Sequence, residues 1–168
     1  QAFDFAFSIN VMEHVDDVSA VLANITRSLR HGATYRFMCP NYLFPYEPHF
    51  NIPTLLHKRL TETVLRKKIF EHPTVPDPAG TWRTINWITV PQICRATHQL
   101  SNVALHFNRR LFFSALERMV SDEVFSARRA PWLRTIIKTI VALRLHHLAL
   151  GVPVRIQPAI DCSLVRVS

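Results

Sequence analysis

Large apolar residues occupy every second position near the start of the chain. In Phe3-Asp4-Phe5-Ala6-Phe7-Ser8-Ile9-Asn10 they alternate with small or polar ones, the period of an extended strand. Ala6 and Ser8, on the second face, are small enough to let a helix pack closely. The period then changes. Val18, Val21, Leu22, Ile25 and Leu29 recur at i, i+3, i+4, i+7 and i+11, a helical apolar stripe whose start Asp16 or Asp17 can cap. Gly32 stands where a left-handed residue commonly ends a helix. Ala33 to Cys39 reads as a second strand, stopped by Pro40. Two strands joined by a helical crossover are expected to be parallel neighbours with a right-handed connection.

The loop that follows is broken up by Pro45, Pro48 and Pro53 and carries Tyr42, Phe44, Tyr46 and Phe50. Ligands of α/β proteins sit at the carboxyl ends of parallel strands, so these aromatics either cover a substrate or pack the loop down. Leu55 to Phe70 is expected to be a helix with Leu56, Leu60, Val64 and Phe70 inward. Its charged residues Lys58, Arg59, Arg66, Lys67 and Lys68 are expected to face mostly outward. Pro73 to Gly80 has the composition of a loop, and Thr81 to Val90 reads as extended. Pro91 suits a first helical position, giving a helix to Leu100 and then a short strand, Val103 to Phe107. Two helices are expected at about Arg110 to Val124 and Pro131 to Leu150. A final strand spans Ile156 to Val167, with Pro158 at its start or at a bulge.

The ordered run F-D-F-A-F-S-I-N-V-M-E-H-V, then L-R-H-G-A, then C-P-N-Y resembles the second half of a class I S-adenosylmethionine (SAM) dependent methyltransferase. It matches that family's strand 4, helix D and strand 5. The P-Y-E-P-H-F loop resembles a feature of one bacterial branch. The resemblance implies an α/β fold: a partial Rossmann-like methyltransferase sheet (the strand 4–7 side) with a helical insertion at about 109–150. It also implies that the last strand runs antiparallel between strands 5 and 6. The family's glycine-rich cofactor loop has no counterpart, because Gly32, Gly80 and Gly151 are far apart and nothing before Phe3 supplies strands 1 to 3. Residues 1–168 are therefore expected to be the C-terminal portion of one methyltransferase domain. The N-terminal SAM-binding half would be absent, and these residues alone would bind SAM poorly or not at all.

Charge and cysteine content narrow the partners. The net charge of +8 is uneven: residues 1–53 hold three basic residues against five acidic ones, the remainder 17 against seven. Such a balance suits anionic lipid, phosphorylated substrates or nucleic acid, or simply solvated basic helix faces. No regular basic-aromatic interleaving accompanies it, so no specific nucleic acid partner is expected. A 48% hydrophobic content is ample for a core. Cys39, Cys94 and Cys162 lack metal spacing and read as reduced, buried thiols of a cytoplasmic protein. In Pro131 to Leu150 a broad apolar face (Trp132, Leu133, Ile136, Ile137, Ile140, Val141, Leu145, Leu148) adjoins Arg128, Arg129, Arg134 and Lys138. Arg134, Lys138 and Arg144 exclude a membrane-spanning helix. The apolar face either packs on the domain or a second subunit, or makes a peripheral membrane contact through 131–150 as part of a cap over the acceptor side. The sequence sets no oligomeric state.

By the resemblance, Ser8, Ile9, Asn10 and Val11 lie under the methionine and sulfonium part of SAM, the cofactor. Read from the residues alone, Ser8 serves helix packing and Asn10 caps a turn. Methyl transfer from a sulfonium needs mainly alignment and sometimes removal of the acceptor's proton. His14 and then His49 are the candidate bases, with Glu13 beside them, since a neutral imidazole accepts a hydroxyl proton near pH 7. Some small-RNA and ubiquinone-pathway O-methyltransferases carry E-x-x-E-H here and bind a divalent metal. Asn10 replaces the first carboxylate, which weakens a hard-cation site, so no metal is assigned. Glu13 and His14 then simply begin a helix. Asp4 reads as structural. His31, His72, His98 and His106 lack catalytic companions, and His146 and His147 on a helix diverge by about 100°. The expected function is SAM-dependent methyl transfer to an oxygen of a small-molecule or glycan-type acceptor. The alternative is a vestigial binding module that retains half the fold.

Overall fold

Four strands form one sheet: β1 (Phe3–Ile9), β2 (Leu29–Pro40), β3 (Val103–Phe107) and β4 (Ala159–Arg166), in the order β1-β2-β4-β3. β1 and β2 pair in parallel, and β4 runs antiparallel to both β2 and β3. The last strand thus lies between the second and third, as expected. Pro158 precedes it, where its missing N–H interrupts no ladder. This computed structural model describes residues 2–55, 57–127 and 131–167. Expectations for Leu56, Arg128 and Arg129 lie outside the described residues.

The alternation read in β1 sets the two faces of the sheet. Ala6 pairs with Tyr35, and Ser8 with Phe37. Phe37 in turn pairs with Cys162, and Tyr35 with Leu164. This face is the core, with Tyr35, Phe37, Cys39, Ile160, Cys162 and Leu164 all buried. Helix α1 (Val18–Ser28) buries Val18, Leu22 and Thr26, and helix α4 (Val90–His98) buries Ile93, Ala96 and Thr97. Each fully buried large apolar side chain contributes about 1.5–3 kcal/mol. The opposite face carries Phe3, Phe5, Phe7 and Ile9 at 57–70% exposure. On that face Arg36 and buried Asp161 form a two-pronged ion pair at 2.6–2.9 Å.

Several boundaries differ from the sequence expectation. Asp17 caps α1, accepting from the Ala20 N–H, but the helix ends at Ser28, not at Gly32. The Leu29 N–H closes it on Ile25 and Thr26 carbonyls with extended backbone, so no left-handed residue is needed. Gly32 (φ +76) instead lies inside β2, where the pairing jumps from Phe3–Leu29 to Phe5–Thr34 and the extra residues form a bulge. Helix α2 spans Lys58–Phe70 and buries Thr61 and Ile69, while Val64 is exposed. The buried stripe runs through Thr61 and Ile69 with half-buried Leu65 between them, and Val64 falls beside it. Lys58 is half-buried, donating to the Arg83 and Ile85 carbonyls.

Helix α3 (Pro78–Thr84), capped by Asp77 with Pro78 in its first turn, runs from the stretch read as a loop into the one read as extended from Thr81. Cys94 falls on the outer side of α4 and is exposed; Cys39 and Cys162 are buried, and all three are free. Burial pushes the Cys39 and Cys162 thiols far up, keeping them protonated.

Residues 108–154 form a second compact unit. It contains α5 (Leu111–Ser121), α6 (Glu123–Ala127), α7 (Pro131–Ala142) and a 3-10 segment, Leu145–Gly151. The long second helix expected to reach Leu150 stops at Ala142, because Arg144 adopts a left-handed conformation (φ 57). In the tighter segment beyond, His146 and His147 do not diverge. Their rings lie 4.4 Å apart, each within 5.4 Å of the Phe113 ring. No helix of the described residues is long and apolar enough to cross a membrane.

Candidate functional site

β1 ends at Ile9, and the chain leaves it through Asn10 in a left-handed conformation (φ 55), its N–H donating to the Met38 carbonyl at 2.8 Å. Asparagine tolerates this region because its short polar side chain adds little steric cost. Ile9, Asn10 and Val11 are exposed at this strand end. Ser8 points to the covered face instead, where its hydroxyl and that of Tyr35 lie 2.6 Å apart. Asp4 pairs with Arg30 at 3.0 Å on the surface, a structural position.

Glu13 and His14 do not begin α1. They lie in a separate 3-10 turn, Met12–His14, four residues ahead of it. Asn86 fixes this turn from the loop between α3 and α4. Its side-chain amide donates to the Met12 and Val15 carbonyls at 2.8 and 2.7 Å, and its backbone N–H donates to the Glu13 carbonyl at 2.8 Å. Sequence reasoning passed over Asn86, since an isolated asparagine in a loop carries no pattern.

The loop after β2 brings in His49. Its anchor is Glu47, fully buried, which accepts from the Tyr42 hydroxyl (3.1 Å), the Phe50 N–H (2.7 Å) and His49 Nδ1 (2.6 Å). Tyr42 and Phe50 are buried and pack the loop down, while Tyr46 is exposed. Trp87, left-handed at φ 61, stacks on Tyr42 at 4.6 Å between centroids. A bulky residue in that region costs about 1–3 kcal/mol, sustained here by the packing around it. Glu47 was missed as a site residue, although a lone carboxylate inside an aromatic, proline-rich loop was its signal.

The result is a cluster. Ligand atoms of Glu13, His14 and His49 all lie within 4.8 Å of one another, and the two imidazole rings are 5.2 Å apart edge to face. Glu13 is 0% exposed, and among the described residues neither carboxylate oxygen has a hydrogen-bond partner. Burial raises its pKa. His14 is shifted down by burial and by nearby His49, whereas the hydrogen bond to Glu47 raises His49. His14 Nδ1 lies 2.9 Å from Thr84 Oγ1, and that hydroxyl donates to the Thr81 carbonyl. With its proton used there, Thr84 accepts from His14 Nδ1–H, which leaves the Nε2 lone pair of His14 free. His31, by contrast, caps the Val167 carbonyl, and His72 packs against Phe50.

Residues 1–37 match a family model described as a methyltransferase domain. The Mycobacterium tuberculosis (strain ATCC 25618 / H37Rv) protein named "Uncharacterized protein Rv1509" is 46% identical over 164 residues, 98% of this chain and 56% of its own length. The chain thus spans little more than half the length of the curated relatives it matches. Among solved structures, an S-adenosylmethionine dependent methyltransferase from Mesorhizobium loti superposes with a TM-score of 0.53 at 12% identity, covering 98% of this chain and 62% of that one. Phosphoethanolamine N-methyltransferase 2 of Haemonchus contortus, solved with S-adenosyl-L-methionine, scores 0.43 at 16% identity and 99% and 33% coverage. The parallel β1–α1–β2 unit, the antiparallel last strand between its neighbours and the matched segment together give this chain the class I SAM-dependent methyltransferase fold.

Proposed function

We propose that this chain is the acceptor-side portion of a SAM-dependent methyltransferase that methylates an oxygen of a small-molecule or glycan-type acceptor. The observation that carries this reading is the convergence of Glu13, His14 and His49 beside the carboxyl ends of two parallel strands. In open α/β sheets that is where ligands bind. SAM supplies a methyl group already activated on a sulfonium. Exposed Ile9 and Val11 offer it an apolar wall and Asn10 a polar contact, which fits one side of such a group. The cluster accepts the acceptor's hydroxyl proton as the oxygen bonds to the methyl carbon and the sulfur–carbon bond breaks.

The outer edge and the open face of β1 support a longer domain. Four large apolar side chains in an unpaired edge strand are an aggregation hazard unless more sheet and helices cover them. The test is transfer of label from methyl-labelled SAM by the full-length protein to a panel of hydroxyl-, amine- and thiol-bearing acceptors. An O-methylated product is expected. Label found only on nitrogen or sulfur acceptors would overturn the oxygen reading.

The unit of residues 108–154 is proposed to rest on an anionic membrane surface. Trp132, Leu143 and Leu148 are 64–74% exposed, and Arg134, Lys138 and Arg144 share the segment. The full-length protein should float with anionic vesicles at low salt and less with neutral ones. Failure to float with anionic vesicles would remove this contact.

A further inference from the structure

We propose that Glu47 is a positioning residue for the proton transfer: it holds the His49 ring so that His49 Nε2 takes the acceptor's proton. The use of His49 as a base rests on the methyl transfer proposed above, whereas the geometry of the pair does not. Glu47 is 0% exposed and stands two residues before His49 in the loop after β2. Its two oxygens divide the work. Oε1 lies 3.1 Å from the Tyr42 hydroxyl and 2.6 Å from His49 Nδ1, and Oε2 takes the Phe50 N–H at 2.7 Å. Both oxygens act as acceptors, so His49 Nδ1 carries the hydrogen and Nε2 keeps the lone pair.

Which imidazole ends with the proton follows from what stands behind each ring. His14 is backed by a neutral hydroxyl, Thr84 Oγ1 at 2.9 Å, and burial and nearby His49 hold its pKa down. His49 is backed by a carboxylate, whose hydrogen bond raises its pKa against the opposing effect of burial. The rings are 5.2 Å apart, where two imidazolium ions would repel, so a single positive charge forms and it forms on His49. His14 stays neutral and helps to orient the hydroxyl. The other groups around the pair fit this assignment. Burial raises Glu13 and pushes the Tyr42 hydroxyl far up, so Tyr42 stays a donor. Half-buried Lys58, which acts on His14, donates to the Arg83 and Ile85 carbonyls.

Charge balances through the step. The acceptor oxygen bonds to the methyl carbon, the sulfur–carbon bond breaks with its electron pair going to sulfur, and the hydroxyl proton passes to Nε2. The positive charge lost from the sulfonium reappears on His49, beside the Glu47 carboxylate. A buried carboxylate behind an imidazole works in the same way in acyl transfer, fixing the tautomer and stabilising the imidazolium as it forms.

Glu47→Gln tests the pair, because glutamine holds His49 the other way round. The Phe50 N–H requires the amide oxygen, which turns the amide NH₂ toward Tyr42 and His49 Nδ1. His49 then accepts at Nδ1 and carries its hydrogen on Nε2, where it cannot take a proton. In the full-length protein, kcat should fall on the order of a hundredfold or more with SAM affinity little changed. The base acts only when neutral, and Glu47 favours its charged form. Removing that charge should therefore move the rise of kcat with pH to lower pH. Nitrogen NMR of labelled histidine, assigned with His49→Asn, follows the ring directly. Neutral His49 should carry its hydrogen on Nδ1 in the wild type, and its titration should move to lower pH in Glu47→Gln. A wild-type His49 with its hydrogen on Nε2 overturns the proposal, whether or not the variant folds. Methyl transfer whose kcat and pH profile are unchanged in Glu47→Gln would also overturn it and leave the reaction standing. No transfer by the wild type, with the tautomer and titration as expected, would remove the reaction and leave the positioning of His49 by Glu47.

Discussion

Glu47→Ala should cost about 3–5 kcal/mol of stability, a fall in Tm of roughly 6–20 °C. Glu47 is fully buried and accepts from three donors on three residues: the Tyr42 hydroxyl, the Phe50 N–H and the His49 ring. Its own backbone pairs with Ile52 in both directions. Alanine would leave the Tyr42 and Phe50 donors buried without acceptors, each worth about 1–3 kcal/mol, and would free His49 to rotate. Glu47→Gln keeps the shape and one carbonyl oxygen but cannot accept from all three donors. Its loss should be smaller than that of alanine. Thermal unfolding of the three proteins checks the order, and a Glu47→Ala transition within about 2 °C of wild type would contradict it, being the shift of a neutral surface change.

His14→Ala should lower turnover on the order of a hundredfold or more with SAM saturating. The substitution removes one of the two imidazoles that face each other across 5.2 Å and a contributor to proton removal. His14 is only half-buried and its ring bonds Thr84, so the fold tolerates alanine with a small loss. The informative pattern is a fall in kcat with little change in SAM affinity, because Asn10 and the strand end are untouched. Unchanged turnover would remove His14 from the chemistry and leave His49 to be tested alone.

How much of this was legible in the sequence follows from the range of each signal. The alternation in Phe3 to Asn10 and the i, i+3, i+4 stripe from Val18 are local, and both appeared as strand and helix. The sheet order needed the family resemblance, because no local pattern says that β4 inserts between β2 and β3. Errors fell where a single residue resets the geometry. The buried stripe of α2 runs through Thr61 and Ile69 and leaves Val64 outside it, Asp77-Pro78 starts a helix in a stretch read as loop, and left-handed Arg144 cuts a helix short. At the site, Glu13, His14 and His49 were singled out one by one. Their convergence was not legible, since it depends on Glu47 turning the His49 ring and on Asn86 holding the Met12–His14 turn across more than seventy residues of chain. Nor could the sequence show that Glu13 is buried rather than helix-capping, a fact set by tertiary packing.

The most direct test of the central claim is isothermal titration of SAM into the full-length protein, alongside Asn10→Ala. The account predicts saturable binding of one SAM with a Kd of about micromolar, near −8 kcal/mol. Asn10→Ala should weaken it about two- to twelvefold, the worth of one hydrogen bond. No saturable binding up to about millimolar SAM, a free energy weaker than about −4 kcal/mol, would contradict the account and leave a methyltransferase fold without its reaction.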